Sequence, residues 1–278
     1  MSLSREDGTL LVPVANPETV ERLMDTAVDI ARGGSMEILV IHVVEVPPQL
    51  PLSAGSELLD EERTEERLLE DAVAVAEKSG IPADSRLRYA RDVATGIVGG
   101  AEEYDADGLL MGWRGRPRRR DIVLGSFIDR VLGEATCDVF VKRIRKQSED
   151  VDSILVPVAD GPHNELAVEL ADTLAGQYDA AVELVHVQHP DASEQTRREA
   201  ETLLSERASI VETTERVETR VLESDNVAGT VTDETAHHDL ALLGTTRDGF
   251  LGRKLVGSVA QGVGRAGACP VILTRRGK

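Results

Sequence analysis

Lysine is scarce in this 278-residue chain: only five of its 31 basic residues are lysines, against 50 acidic residues and a formal net charge of -19. The field of such a chain repels nucleic acid, which excludes a phosphate-backbone binder as the default reading. With so few lysines, the carboxylate excess suggests a hydrated surface adapted to a salty interior. Cysteine is rarer still, at two. Each lies in an apolar run, around Cys137 and Cys269, where a thiol behaves as a small buried hydrophobe rather than half of a disulfide.

Long apolar stretches are also missing. ILVIHVV, Ile38 to Val44, is the longest candidate and falls well short of the ~18 residues of a membrane span. MSLSREDG at the N-terminus has no apolar signal core, so a cytoplasmic protein without membrane insertion is expected. No HxxxH, CxxC or HExxH spacing occurs, which argues against a metal site. His42 and His186 sit inside apolar strands and read as hydrogen-bonded core residues; His237-His238 ends a helix, and His163 and His189 fall in loops.

What the chain does have is itself, twice. VPVANPETVERLMDTAVDIA from Val12 aligns with VPVADGPHNELAVELADTLA from Val156 at an offset of 144, and VIHV at Val40 with LVHV at Leu184. Further on the offset is 132: Gly112 meets Gly244, Gly125 meets Gly257, and Cys137 meets Cys269. About twelve extra residues therefore belong to the first copy, in VPPQLPLSAGSELLD, Val46 to Asp60, a proline-rich surface loop. The boundary falls in RKQSEDVD, giving domains 1–147 and 148–278. The acidic excess is shared, -8 in the first (19 basic, 27 acidic) and -11 in the second (12 basic, 23 acidic).

Each copy alternates apolar runs with helical patterns. TLLVPV reads as a strand, and NPETVERLMDTAVDIARGG as a helix with an Asn16 N-cap, proline in the first turn and a glycine stop. Runs apolar on both faces, separated by helices, mean parallel strands covered on both sides. The expected fold class is α/β, two tandem doubly wound parallel-sheet domains. In such sheets ligands sit beyond the carboxyl ends of strands, where strand order reverses.

GWRGRPRRRDIVLGS lies there: five arginines among three glycines, from Gly112 to Ser126. Glycines let the backbone approach an anion, a serine adds a donor, and a helix N-terminus and guanidinium groups supply charge. The helix ERTEERLLEDAVAVAEKSG is apolar on one face, which docking on the sheet explains without a partner.

Gly112, Gly115, Gly125 and Ser126 fit GxxGx9G[ST] without gaps, and VPVA, IHVV, ADGLLMGW and CDVFVKR are similar to segments of the same family. On these residues the chain resembles the universal stress protein family along nearly its whole length, as two tandem copies. The resemblance implies five strands in order 3-2-1-4-5 per domain, an adenine-nucleotide-hydrolase-like fold, and pairing through the last strand. An internal pseudo-dimer follows, and a homodimer of chains is compatible with it.

It further implies an adenine nucleotide, ATP or AMP, with Mg only as the nucleotide's companion. By resemblance, Val43 and Val187 touch adenine, and Pro13, Val14 and Ala15 (Pro157 to Ala159 in the second copy) flank base or ribose. The glycine loop with Gly112, Arg114, Gly115, Gly125 and Ser126 holds the phosphates, Met111 and Phe127 are further nucleotide-binding positions, and Gly244, Gly257 and Ser258 are what the second copy keeps of the loop.

Two departures stand out. The family's aspartate after the first strand is replaced by Ala15 and Ala159, with Asp160 one place along, and Arg247 replaces the second glycine of the second copy. The first copy is therefore the expected site. No general base, nucleophile or metal set flanks the loop, and neither the SGGxDS of PP-loop ATPases nor the HxGH of nucleotidylyltransferases occurs. The resulting expectation is a non-enzymatic nucleotide-binding regulator with an unidentified protein partner. The alternative is a nucleotide-free scaffold, for example one docking on a membrane transporter.

Overall fold

The computed structural model describes residues 8–59, 64–113, 126–144, 150–245 and 257–278. The chain divides into two compact units: among the described residues, one lies within 8–144, with Gly277–Lys278, and the other within 150–276.

The first unit runs β1 (Gly8–Pro13), α1 (Pro17–Gly34), β2 (Met36–Glu45), a 3-10 helix (Leu52–Leu58), α2 (Thr64–Lys78), β3 (Ala83–Ala90), α3 (Val93–Glu103), β4 (Gly108–Trp113), α4 (Ser126–Glu134) and β5 (Asp138–Arg143). Its strands are parallel, in spatial order β3-β2-β1-β4-β5. The second unit runs β6 (Ser153–Pro157), α5 (Pro162–Tyr178), β7 (Ala181–Gln188), α6 (Glu194–Ala208), β8 (Val217–Glu223), α7 (Val227–Glu234), a 3-10 turn (Thr235–His237), β9 (Leu240–Gly244), α8 (Ser258–Ala266) and β10 (Val271–Arg275). Its order is β8-β7-β6-β9-β10, again all parallel.

Consecutive strand residues are buried together, Leu10 to Val12, Leu109 to Met111 and Val139 to Val141 in the first unit, Ile154 to Val156 and Ala241 to Leu243 in the second. Only a sheet covered on both faces removes neighbouring side chains of one strand from water at once. Ile41 and Val43 lean on Gly100 and Gly96 of α3, while α1 and α2 pack together and α3 packs with α4. The alternation of strand side chains then assigns α1 and α2 to the other face.

The repeat extends to single hydrogen bonds. Asp107 Oδ2 accepts from the Thr9 amide at 3.0 Å, and Asp239 Oδ2 from the Ser153 amide at 3.0 Å, each pinning the start of its unit's first strand. Asn16 caps α1, accepting from the Glu18 amide at 2.9 Å. The expected glycine stop is corrected: Gly33 and Gly34 stay helical, and Ser35 takes the left-handed position with φ 54°. Asp179 does the same after α5, at φ 51°. In each case the amide of the left-handed residue returns to a carbonyl of the last turn, Ala31 or Ala175, which satisfies an end group the helix leaves open. His163 is likewise in the first turn of α5 rather than in a loop.

Candidate functional site

In the first unit β1 and β4 are neighbours whose following helices lie on opposite faces, so their carboxyl ends border the reversal crevice. The end of β1 is held there by two bonds to β2: the Val14 amide donates to the Ile41 carbonyl, and His42 Nδ1 donates to the Val14 carbonyl, both at 2.9 Å. Because a carbonyl only accepts, that ring nitrogen carries the proton. The second unit repeats both, at 2.7 Å for Val158 to Val185 and 2.9 Å for His186 to Val158. The pairing turns the chain out of the sheet at Ala15, which is exposed, between half-buried Pro13 and half-buried Asn16, while Val14 is buried.

Val43 is half-buried at the end of β2, its methyl groups against the Gly96 backbone, where any side chain on residue 96 would collide with them. Met111 is buried in β4. Gly112 follows, and the nearest atoms to a Cβ there would be side-chain atoms, Ile144 Cδ1 at 2.4 Å and Cγ1 at 3.2 Å and Leu23 Cδ1 at 3.7 Å. Ser126 opens α4 and Phe127 is exposed on its first turn. Arg114, Gly115, Gly125 and Arg247, with Arg116, Arg118, Arg119 and Arg120, lie outside the described residues.

α4 is fastened to its neighbour by Arg130. Its NH1 lies 2.9 Å from Asp92 Oδ1 and its NH2 3.0 Å from Thr95 Oγ1, while Nε faces Glu134 at 3.0 Å. Asp92 is also the N-cap of α3. The Thr95 amide and hydroxyl, then Arg130, hold its carboxyl down at about 2. Below the sheet end, Lys142 of β5 is buried, donating to the Arg22 carbonyl at 2.9 Å and to the Thr26 hydroxyl. Burial lowers it to about 8, with Asp25 and Asp29 opposing. Burial in turn pushes the Asp25 carboxyl up, with Lys142 opposing.

The second crevice differs in its main chain. After β6 the chain passes through Gly161 at φ 114°, a conformation glycine tolerates and other residues rarely adopt, and α5 begins at Pro162. This brings the first turn of α5 against the end of β9: a Cβ on Gly244 would lie 2.6 Å from the Asn164 amide nitrogen and 2.7 Å from the His163 carbonyl carbon. The turn is latched. Thr274 Oγ1 donates to the His163 carbonyl at 2.8 Å, and the Arg276 amide donates to His163 Nδ1 at 3.0 Å. Asn164 Oδ1 accepts from the Ala159 amide at 3.3 Å.

The Asp160 side chain, one place beyond Ala159, is 96% exposed, with Arg207 4.0 Å away. Gly257 is the N-cap of α8 with no side-chain cap bond, and Ser258 follows, exposed. His238 ends its helix as expected, Nδ1 donating to the Glu234 carbonyl at 3.1 Å, and its Nε2 lies 2.8 Å from Glu183. His189 is exposed, 2.7 Å from Asp225. Sequence reasoning missed Lys142, Arg130 and the His163 latch. Of these only the last had a local signal, the Gly161-Pro162 pair, since the partners of the others are far along the chain.

Among the described residues there is no cluster of three or more metal-ligating side chains, and no helix is long and apolar enough to cross a membrane. A hollow of about 510 Å³, lined by Arg32, Met36, Glu37 and Ile81 among others, opens at the amino ends of β2 and β3, at the opposite end of the strands from the site residues.

The crevice thus belongs to a doubly wound α/β protein of tandem build. The universal stress protein family matches residues 8–143 and 151–275; the chain belongs to that family, as a tandem two-domain member. It is 31% identical over 144 residues to universal stress protein MJ0531 of Methanocaldococcus jannaschii, covering 50% of this chain and 83% of that protein. It is 28% identical over 256 residues to the Na(+)/H(+) antiporter NhaS5 of Synechocystis, covering 91% of this chain but 36% of the antiporter's length. In fold it is similar to a universal stress protein from Archaeoglobus fulgidus, with a TM-score of 0.72 at 20% identity and 99% of each chain covered. It is also similar to the cytoplasmic domain of a prokaryotic cation chloride cotransporter, with a TM-score of 0.65 at 13% identity, covering 97% of this chain and 96% of that one.

Proposed function

We propose that the chain is a nucleotide-responsive regulator that holds one adenine nucleotide, ATP or AMP, in its first unit and passes that state to a protein partner without rapid turnover. One observation carries the choice of unit. The nearest neighbours on the Cβ side of Gly112 are side chains, Ile144 and Leu23, whereas main chain of α5 abuts its counterpart Gly244. Side-chain tips move aside for a ligand at low cost; a latched helix turn does not. In the sequence, the GxxGx9GS spacing with its main-chain donors and Arg114 with its charge belong to the first unit. Mg accompanies the nucleotide only as its counter-ion.

Calorimetric titration of the full chain with ATP and with AMP tests this. One site per chain is expected, weakened at least about tenfold by Arg114→Ala, with product release too slow to match a dedicated hydrolase. Two equal sites, no binding at millimolar nucleotide, or fast turnover would each sink the proposal.

A second reading is favoured by the antiporter relative, which matches this chain over 91% of its length. Here the units form a regulator of a cation transporter that needs no nucleotide, consistent with Ala15 and Ala159 at the ribose positions. Mass spectrometry of small molecules released from the purified protein by denaturation separates the two. An adenine nucleotide near one equivalent supports the first, and its absence together with failure to titrate supports the second.

A further inference from the structure

Each ring nitrogen of His238 faces an acceptor. Nδ1 lies 3.1 Å from the Glu234 carbonyl and Nε2 lies 2.8 Å from Glu183 Oε2, and the side chain is only 6% exposed. A carbonyl and a carboxylate have no proton to give, so both bonds are made only when both nitrogens are donors and the ring is an imidazolium. A neutral ring would turn a lone pair on one acceptor or the other. The position favours the cation further, since His238 follows the last turn of its helix, where the carbonyls point outward.

Glu183 is held as a carboxylate by Arg220, whose Nε stands 2.6 Å from Oε1. The same guanidinium reaches the Glu234 carboxylate through NH2. Glu183 belongs to β7, Arg220 to β8 and Glu234 to the end of α7. Among the described residues these are the charged groups that pair with His238 and with one another. Two cations and two carboxylates thus form a chain of ion pairs that is neutral with the second imidazole proton and negative without it.

The first unit has no such cluster. Leu39 pairs with Leu11 as Glu183 pairs with Leu155, so leucine stands where the second unit has its glutamate. Ala106 precedes Asp107 as His238 precedes Asp239, and it is buried. Leucine and alanine have no proton to lose.

We propose that the His238 cluster is a proton-dependent clamp, which fastens the end of α7 to β7 and β8 while the imidazole is charged and slackens when the ring loses its second proton. On that loss one of the two imidazole bonds goes, and the Glu183 carboxylate keeps Arg220 as its only ionic partner. The charged ring gains its partners on folding, so the clamp contributes fully in mildly acid solution and less as the pH rises. The second unit alone is therefore pH-responsive at this place, with or without a nucleotide in the first.

The test uses the full chain with isotope-labelled histidine, the His238 signal being assigned by its loss in His238→Gln. Nuclear magnetic resonance of the ring nitrogens distinguishes an imidazolium from either neutral tautomer. At about pH 7.5, where a free histidine side chain is roughly nine-tenths neutral, His238 is expected to carry both protons. Glu183→Gln should leave it neutral there. Arg220→Gln, which removes the competing cation, should keep it charged to a higher pH than wild type, an opposite shift that loss of packing would not produce. Native-state hydrogen exchange reads the clamp itself. From about pH 6.5 to about pH 8.5, protection of the α7 amides, corrected for intrinsic exchange, should fall about fivefold relative to α3 of the first unit. Glu183→Gln should remove that difference. A neutral wild-type ring at the first pH, a ring unmoved in both variants, or α7 protection that follows α3 across the range would each overturn the proposal.

Discussion

His42 Nδ1 donates to the Val14 carbonyl at 2.9 Å, and His186 repeats the bond to Val158, 144 residues later, at the same distance. It ties the end of the first strand of each unit to the second strand, at the point where the chain leaves the sheet for the crevice. Replacing His42 by Leu leaves a carbonyl without its donor and is expected to cost about 1–2 kcal/mol in denaturant unfolding. His186→Leu should cost a similar amount. Only His42→Leu should also weaken nucleotide binding, because the proposed nucleotide lies in the first unit; equal effects on binding from both would refute that asymmetry.

Gly112 and Gly244 occupy matched positions with unlike surroundings. Gly244→Ala drives a methyl group into the backbone of His163 and Asn164, which cannot give way without moving α5, and a loss of about 1–3 kcal/mol is expected. Gly112→Ala meets the tip of Ile144 and should unfold close to wild type. A reversed ranking would show that the latch on α5 is not rigid.

Lys142, lowered to about 8 from 10.5 mainly by burial, sets a pH signature. Between those values the unfolded chain binds more protons than the folded one, so stability rises with pH across this window, by at most about 3 kcal/mol. Lys142→Met should abolish the rise measured by denaturation at pH 8 and pH 10. A variant that kept the full rise would exclude Lys142 as its source.

Arg91 NH1 faces the carbonyls of Val46, Pro47 and Leu50. Arg91→Ala should speed proteolysis within Pro47 to Leu59 while changing global stability by less than about 1 kcal/mol, because the guanidinium holds a surface loop and not the core. Mass mapping of the first cleavage sites checks both halves of this expectation.

The charge of -19 should make the thermal midpoint climb as potassium chloride rises from about 0.1 M to about 2 M, since salt screens repulsion among the carboxylates. A flat profile would remove the inference of a salt-adapted surface.

Much of the fold was legible because it rests on short-range patterns. LLV at Leu10 and ILV at Ile154 are apolar at successive positions, which only a doubly covered strand can bury, and Asn16-Pro17 announces a helix start by side-chain geometry alone. The site was legible only as a spacing. Gly112 and Gly244 look alike in the sequence, and nothing adjacent to either shows that one meets side-chain tips and the other a helix backbone.

By itself, then, the sequence determined the repeat, the alternation of strands and helices, and the acidic surface, all properties of neighbouring or periodic residues. Tertiary structure alone decided that main chain of α5 stands against Gly244 where side chains stand against Gly112, that Arg91 reaches across some forty residues to hold the loop after β2, and that Lys142 is buried against α1. Each of these depends on atoms brought together from distant parts of the chain, where direction and distance are set by packing and not by order along the backbone.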